Sequence, residues 1–360
     1  MKKEHKNSET IEVRILKKVF LAVILGIILF LAIFFMKSVK RPHPLEQTSY
    51  ALGTILHFQI WGKDANQALE KALSRIHDIE VHMSTHDPNS DIYKVNVSSG
   101  SSFVPVHEDT FYVVEKAIDY AYKSSGTFEP TIGGLVNLWG IGTPEERLPS
   151  EEEIANAVSL IGYEEVQLDR KNMSIRLPRS GQHLDLGGIA KGYAADEVVA
   201  ILKRKGIKSA LVDLGGNIFV LGTKPDSTLW NVGVQNPLEP RGQYLGVLRV
   251  SNKSVVTSGN YERFFEKDGK RYHHIFDPAT GYPAESGLLS VTILSDRSID
   301  GDALSTALFV LGKEEGLKLA SSIEGVEALV VTKEKKIYGT AGMDDFFKLT
   351  NKEYTYEKGK

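Results

Sequence analysis

The most continuous apolar pattern in the chain runs unbroken from Val19 to Met36, carries no charge, and is just long enough to cross a bilayer. Lys2, Lys3, Lys6, Arg14, Lys17 and Lys18 precede it, and Lys37, Lys40 and Arg41 follow. The weight of positive charge on the near side places the N-terminus in the cytoplasm and the remaining chain outside it. With no small-residue cleavage site and no cysteine for a lipid, the run reads as an uncleaved single-pass anchor in the cell membrane. This divides the sequence into a cytoplasmic segment 1–18, an anchor 19–36, a basic proline-bearing linker 37–47, a folded domain 48–350 and a tail 351–360.

Beyond the linker the rhythm changes repeatedly. Residues 48–61 alternate as a strand interrupted at Gly53-Thr54. Asp64 then stands where it would cap a helix carrying Leu69, Leu73, Ile76 and Ile79 at helical spacing. Ser84 to Asp91 is a polar stretch dense in turn formers, extending towards Asn96. A second amphipathic helix is expected over about 109–122. Residues 126–142, rich in glycine and carrying Trp139, fit neither period and read as a structured loop lining a cleft, or else as a packed connection with Trp139 in the core. Ser150 and Glu153 have the spacing of a capping box for a helix ending at Gly162. Further strands recur around Val166, Ile175, Val212, Ile218, Val232, Leu248, Val255, His274 and Val291. A helix opens near Ser298, with a second helix and two closing strands after it. Most strands are joined by hairpin-length turns, which predicts an α+β fold with mixed, largely antiparallel sheets, packed helices and a ligand cleft between two halves.

The centre of this arrangement is Leu184-Asp185-Leu186-Gly187-Gly188-Ile189-Ala190-Lys191-Gly192. It reads as a short strand, a glycine-paired turn and the start of a helix with Ala194, Val198, Ile201 and Leu202 on one face. Such a corner aims free N–H groups and a positive helix end at an anion, and the glycines allow close approach. Taken alone, a plain tight turn is the commoner reading. The spacing fits neither the Walker pattern nor the dinucleotide fingerprint. A phosphate-bearing ligand with a divalent cation remains the sharper hypothesis.

Composition narrows the classes. The chain has 360 residues, 42% hydrophobic and 25% charged, with a net charge of −3 and no cysteine. That balance supplies no basic field for nucleic acid and excludes thiolate chemistry and disulfides. Two candidate groups follow from spacing. Asp302 and Thr306 stand one helical turn apart and offer oxygen donors of the kind Mg²⁺ accepts, although such pairs are common on solvated helix faces. His274, near the Pro278-Ala279-Thr280-Gly281 turn, is a candidate general base, against the ordinary reading of a structural histidine.

Taken together and in order, Leu52-Gly53-Thr54, FEPTIGGLVNLWGIG (128–142), LDLGGIAKGYAAD (184–196), LVDLGGNI (211–218), TSGNYERFF (257–265), HHIFDPATGYP (273–283) and DALSTALFVLG (302–312) are specific. The chain resembles the ApbE family of FAD:protein FMN transferases from about Tyr50 to Leu349. The resemblance implies Mg²⁺-dependent cleavage of FAD, transfer of FMN through a phosphodiester to a threonine of a membrane or secreted redox protein, and release of AMP. It implies metal donors at Gly188, Asp302 and Thr306. Flavin contacts are implied at Leu52, His86, Thr127, Phe128, Glu129, Asp185, Lys191 and Phe276. His274 would be the catalytic base, with Asp277 to hold it, Lys191 to hold phosphates, and Trp139 or Tyr282 to cover a ligand ring. Glu129 stands where the family often has Asp, Leu52 where it has Met, and Gly134 where it has Pro. Two other readings remain at this stage: a membrane-anchored FAD carrier, and a Mg²⁺-dependent FAD pyrophosphate hydrolase.

Overall fold

The computed structural model describes residues 16–30 and 43–359. The chain forms two units, Met1–His43 and Pro44–Lys360. In the first, residues 16–30 form one helix, α1, exposed along its whole length. It covers only part of the expected anchor; residues 31–36 lie outside the described residues. Among the described residues no helix is long and apolar enough to cross a membrane.

In the second unit the alternation at 48–61 becomes a hairpin of Leu45–Ala51 and Thr54–Trp61, turned at Leu52-Gly53. Both turn residues have positive φ, 52° for Leu52 and 67° for Gly53, and the N–H of Leu52 is held 2.7 Å from Glu80 Oε1. The hairpin begins one edge of a nine-stranded sheet that continues through Ser209–Leu214, Asn217–Leu221, Lys253–Gly259, Leu288–Ser295, Glu327–Thr332 and Lys336–Gly339 to Thr355–Glu357. The pairing is antiparallel until the final pair, which is parallel. Both ends of the expected domain therefore move outward. Leu45, assigned to the linker, pairs with Ile60, and the tail contributes the last strand of the sheet.

Alternating side chains bury both faces of this sheet. Val291, Ile293, Ala328 and Val330 join a core shared with α2 (Ala65–Met83), α4 (Glu108–Lys123), α7 (Ala190–Arg204) and α8 (Ser298–Leu311). Val255, Leu294, Leu329 and Val331 face a small sheet of Trp230–Gln235, Tyr244–Val250 and Phe347–Leu349. With one sheet running through it, Pro44–Lys360 closes as one unit, not as two halves.

Several local expectations change. The polar stretch after Ser84 contains α3 (Asp91–Val97), which Ser90 caps by accepting the Tyr93 N–H at 2.9 Å. Asp64 precedes α2 without a capping side-chain bond. The glycine-rich 126–142 segment encloses a helix, α5 (Gly133–Trp139), closed by Gly140 at φ 58°. A helix of under two turns between glycines is too short to display a period. The capping box at Ser150 is present, but its helix, α6 (Glu151–Val158), stops short of Gly162. No strand immediately precedes the glycine pair; there the described chain makes one isolated parallel bridge, between Ile132 and His183.

Candidate active site

The Gly187-Gly188 corner is assembled by polar contacts to its neighbours. Asn96 clamps the Leu184 backbone, donating to its carbonyl at 3.0 Å and accepting its N–H at 2.7 Å. The Asp185 N–H donates to Pro130 O at 2.8 Å, and Asp185 Oδ1 accepts the Gly187 N–H at 2.7 Å. Asp185 thus shapes the turn with one oxygen. α7 begins at Ala190, and Gly192 packs so tightly on α8 that an added Cβ would lie 2.4 Å from Ser298 O. Asp196, one turn further on, accepts the N–H groups of Ser298 and Ile299 at 2.7 and 3.1 Å. It caps the start of α8, and burial raises its carboxyl to about 6.

This contact sets Asp302 against the corner. Its Oδ2 accepts the Gly192 N–H at 2.9 Å, and its Oδ1 lies 3.4 Å from Lys191 Nζ. Lys191 Nζ donates to Gly187 O at 2.9 Å. Thr306 is the next turn of α8, and its Oγ lies 3.6 Å from where a Gly188 Cβ would stand. The Phe128 ring lies 3.1 Å from that same point, and Thr127 Oγ is 3.4 Å from Ala307 O. Gly188, Lys191, Asp302, Thr306, Thr127 and Phe128 therefore share one locality, as the sequence spacing alone did not require.

The donors fit a hard divalent cation. They comprise the buried carboxylate of Asp302 and the hydroxyl of Thr306, beside Gly188, where no side chain is present. Among the described residues no three His, Asp or Glu side chains form a metal-binding group. A cation held here would therefore take much of its coordination from water and from a phosphate-bearing ligand, as Mg²⁺ does.

His274 is oriented by Arg263. Its ring Nδ1 lies 3.2 Å from the Arg263 carbonyl, which also accepts the His274 backbone N–H at 3.1 Å. A carbonyl only accepts, so the neutral ring carries its proton on Nδ1 and leaves Nε2 as a base. Burial holds His274 down to about 4, and the charges of Arg263, His273 and Lys191 push the same way. Neighbouring His273 is structural: its Nε2 faces Ala284 O at 3.2 Å and its Nδ1 accepts the Ile275 N–H at 3.3 Å. Arg263 was not singled out from the sequence. Its Nη2 donates to Gly53 O at 3.1 Å, so one residue links the Leu52-Gly53 turn to His274.

Three other expected residues have different work. Asp277 organises its own turn, accepting the Ala279 N–H at 2.9 Å and the Thr280 hydroxyl at 3.2 Å. The Arg263 carbonyl, not Asp277, holds the His274 ring. Trp139 is fully buried, donates from Nε1 to Gly281 O at 3.0 Å and packs against Phe276 and Tyr282, so it covers no ligand. Glu129 is buried and accepts the Thr131 N–H and hydroxyl at 2.7 Å each and the Tyr163 N–H at 3.3 Å. Burial nevertheless raises its carboxyl. Phe276 is buried beside Trp139, and the contact of His86, from its N–H to Ser84 Oγ, lies within its own turn.

The pattern of the ApbE family matches residues 52–330. The chain belongs to the ApbE family. Its relatives include a FAD:protein FMN transferase of Treponema pallidum (strain Nichols), 36% identical over 336 residues that cover 88% of this chain and 92% of that protein. Another, from Klebsiella pneumoniae (strain 342), is 39% identical and covers 69% of this chain and 77% of its own. Among solved structures, the ApbE protein of Thermotoga maritima superposes with a TM-score of 0.78 at 34% identity, covering 84% of this chain and 99% of that one. The flavin transferase ApbE of Vibrio cholerae gives 0.73 at 28% identity, covering 85% and 96%. The ApbE segments matched in sequence are thus the ones that build the Gly188–Asp302 locality and the His274 turn.

Proposed function

We propose that this ApbE-family chain is a Mg²⁺-dependent FAD:protein FMN transferase that attaches FMN to a threonine of a redox protein and releases AMP. The observation that carries this reading is the joining of Asp302 to the glycine corner through Gly192, within one locality that also holds Lys191 and Thr306. The names of its relatives supply FAD as donor and a protein as acceptor.

In this mechanism Gly188, Asp302 and Thr306 are the residues that would hold Mg²⁺, and a cation bound there would supply positive charge against the pyrophosphate. Lys191, tethered at Gly187 O, neutralises the same phosphates. Leu52, Thr127 and Phe128 supply contacts for the flavin portion. The acceptor threonine Oγ forms a bond to the FMN phosphorus, and the bond from that phosphorus to the bridging oxygen breaks. AMP departs with the bridging oxygen, and the threonine proton passes to His274 Nε2. The neutral, pre-oriented ring is the correct form for that role.

The membrane setting belongs to this same reading. The apolar run 19–36 anchors the chain, and the catalytic unit works on the extracytoplasmic side, where the acceptor is a membrane or secreted redox protein.

Incubation with FAD, Mg²⁺ and a threonine-bearing acceptor protein tests the proposal. Covalent flavin on the acceptor with AMP released supports transfer. FAD held intact supports a carrier, and FMN with AMP formed at the same rate without acceptor supports a hydrolase.

A further inference from the structure

We propose that the edge strand Leu45–Ala51, with the exposed Tyr50–Ile55 pair at its end, is the docking strand for an extended segment of the acceptor protein. The proposal rests on the transferase reading, because only that reaction needs a protein at the site.

The strand is open. Among the described residues it pairs on one side only, with Thr54–Trp61, and ends the nine-stranded sheet. Its seven residues, LEQTSYA, run in continuous register without a bulge, and contain no proline or lysine and a single charge, Glu46. Those are the devices by which sheet edges are normally closed to other chains. The opposite edge differs: Thr355–Glu357 is only three residues long. A long unguarded edge offers a row of backbone donors and acceptors to an incoming strand.

The end nearest the turn is also apolar. Tyr50 and Ile55 are direct cross-strand partners, exposed by 73% and 63%. The positions behind them on the same face are polar: Thr48, paired with His57, and Glu46, paired with Gln59. An apolar pair at one end of a polar ribbon gives an incoming strand an anchor point as well as a register.

The direction of the strand supplies the occupant. It leads into the Leu52-Gly53 turn, where Gly53 O accepts from Arg263, whose own carbonyl holds His274. A segment paired along Leu45–Ala51 is therefore led towards the residues linked to the base that must receive the threonine proton.

The test uses full-length protein, FAD, Mg²⁺ and a purified threonine-bearing acceptor protein that the wild type flavinylates. Tyr50→Ser with Ile55→Ser, and separately Tyr50→Lys, should raise KM for the acceptor at least tenfold. kcat and FAD affinity by flavin fluorescence should stay within twofold. KM within twofold of wild type in both variants overturns the docking assignment and leaves transfer intact. Unchanged KM with tenfold weaker sedimentation on phosphatidylglycerol vesicles assigns the pair to lipid instead, and also overturns it. A wild type that labels no acceptor defeats the transferase reading, and the docking proposal with it.

Discussion

The backbone N–H of Gly192 lies 2.9 Å from Oδ2 of Asp302, joining the first turn of α7 to the second turn of α8. This bond fixes one carboxylate oxygen and leaves the other facing Lys191. It is possible only because residue 192 lacks a side chain, since a Cβ there would meet the backbone of Ser298 and Ile299. Gly192→Ala is therefore expected to lose about 1–3 kcal/mol from overpacking between the helices. Urea unfolding reads it, and a variant of wild-type stability would show that the two helices are not tightly seated.

Asp302→Asn keeps an oxygen for the Gly192 N–H but removes the charge. The fold should survive, while transfer falls on the order of 100-fold, the scale of losing one preorganised electrostatic contact. Mg²⁺ titration of the residual activity should show a weakened requirement. A variant with wild-type activity and an unchanged Mg²⁺ response would move the cation elsewhere.

The base makes a pH prediction. His274 sits near 4 in the folded protein, below the ordinary 6.5, so it is neutral and competent above about 4 and protonated below it. The profile of kcat/KM for FAD, which reports the free enzyme, should stay flat from pH 7 down to about 5 and fall as pH passes through about 4. An acid limb near 6.5 would contradict the lowering of His274 by desolvation and by the charges of Arg263, His273 and Lys191. His274→Ala should cut transfer by roughly 10²–10⁴-fold, the range for general-base catalysis, with FAD affinity retained.

Trp139 separates packing from ligand contact. Trp139→Phe keeps an aromatic ring but leaves Gly281 O without its donor, an expected loss of about 1–3 kcal/mol. FAD affinity should not change, because the indole lies in a core with Leu135, Ile154 and Phe276. A flavin fluorescence titration showing tenfold weaker binding at unchanged stability would return Trp139 to the site.

Truncation follows the sheet, not the composition. Removal of 1–43 leaves Leu45 paired with Ile60 and should yield a folded, active unit, whereas a cut after 47 removes part of the edge strand. Thermal melts of the two products compare them directly.

These residues also show what the sequence makes legible. Strongly periodic helices such as α4 and α7, and the α+β class, follow from local pattern because one face of each element must be buried. The pairing of Asp302 with Gly192, 110 positions apart, has no local signature. Asp277 accepts the N–H of its own Ala279, and sequence proximity to His274 says nothing about which way a carboxylate turns. Arg263 has no sequence signature for its role, because what it offers His274 is a backbone carbonyl, which every residue type carries. α5 was hidden by its shortness, and the boundaries at Leu45 and Thr355 by edge strands too polar to resemble a core.

The most direct test of the account is mass spectrometry of an acceptor protein after incubation with the wild-type chain, FAD and Mg²⁺, with AMP measured in the same reaction. The account predicts the added mass of FMN on a threonine-bearing peptide, in amounts equal to the AMP released and absent with Asp302→Ala. An unlabelled acceptor beside free FMN and AMP, or beside intact FAD, would contradict it.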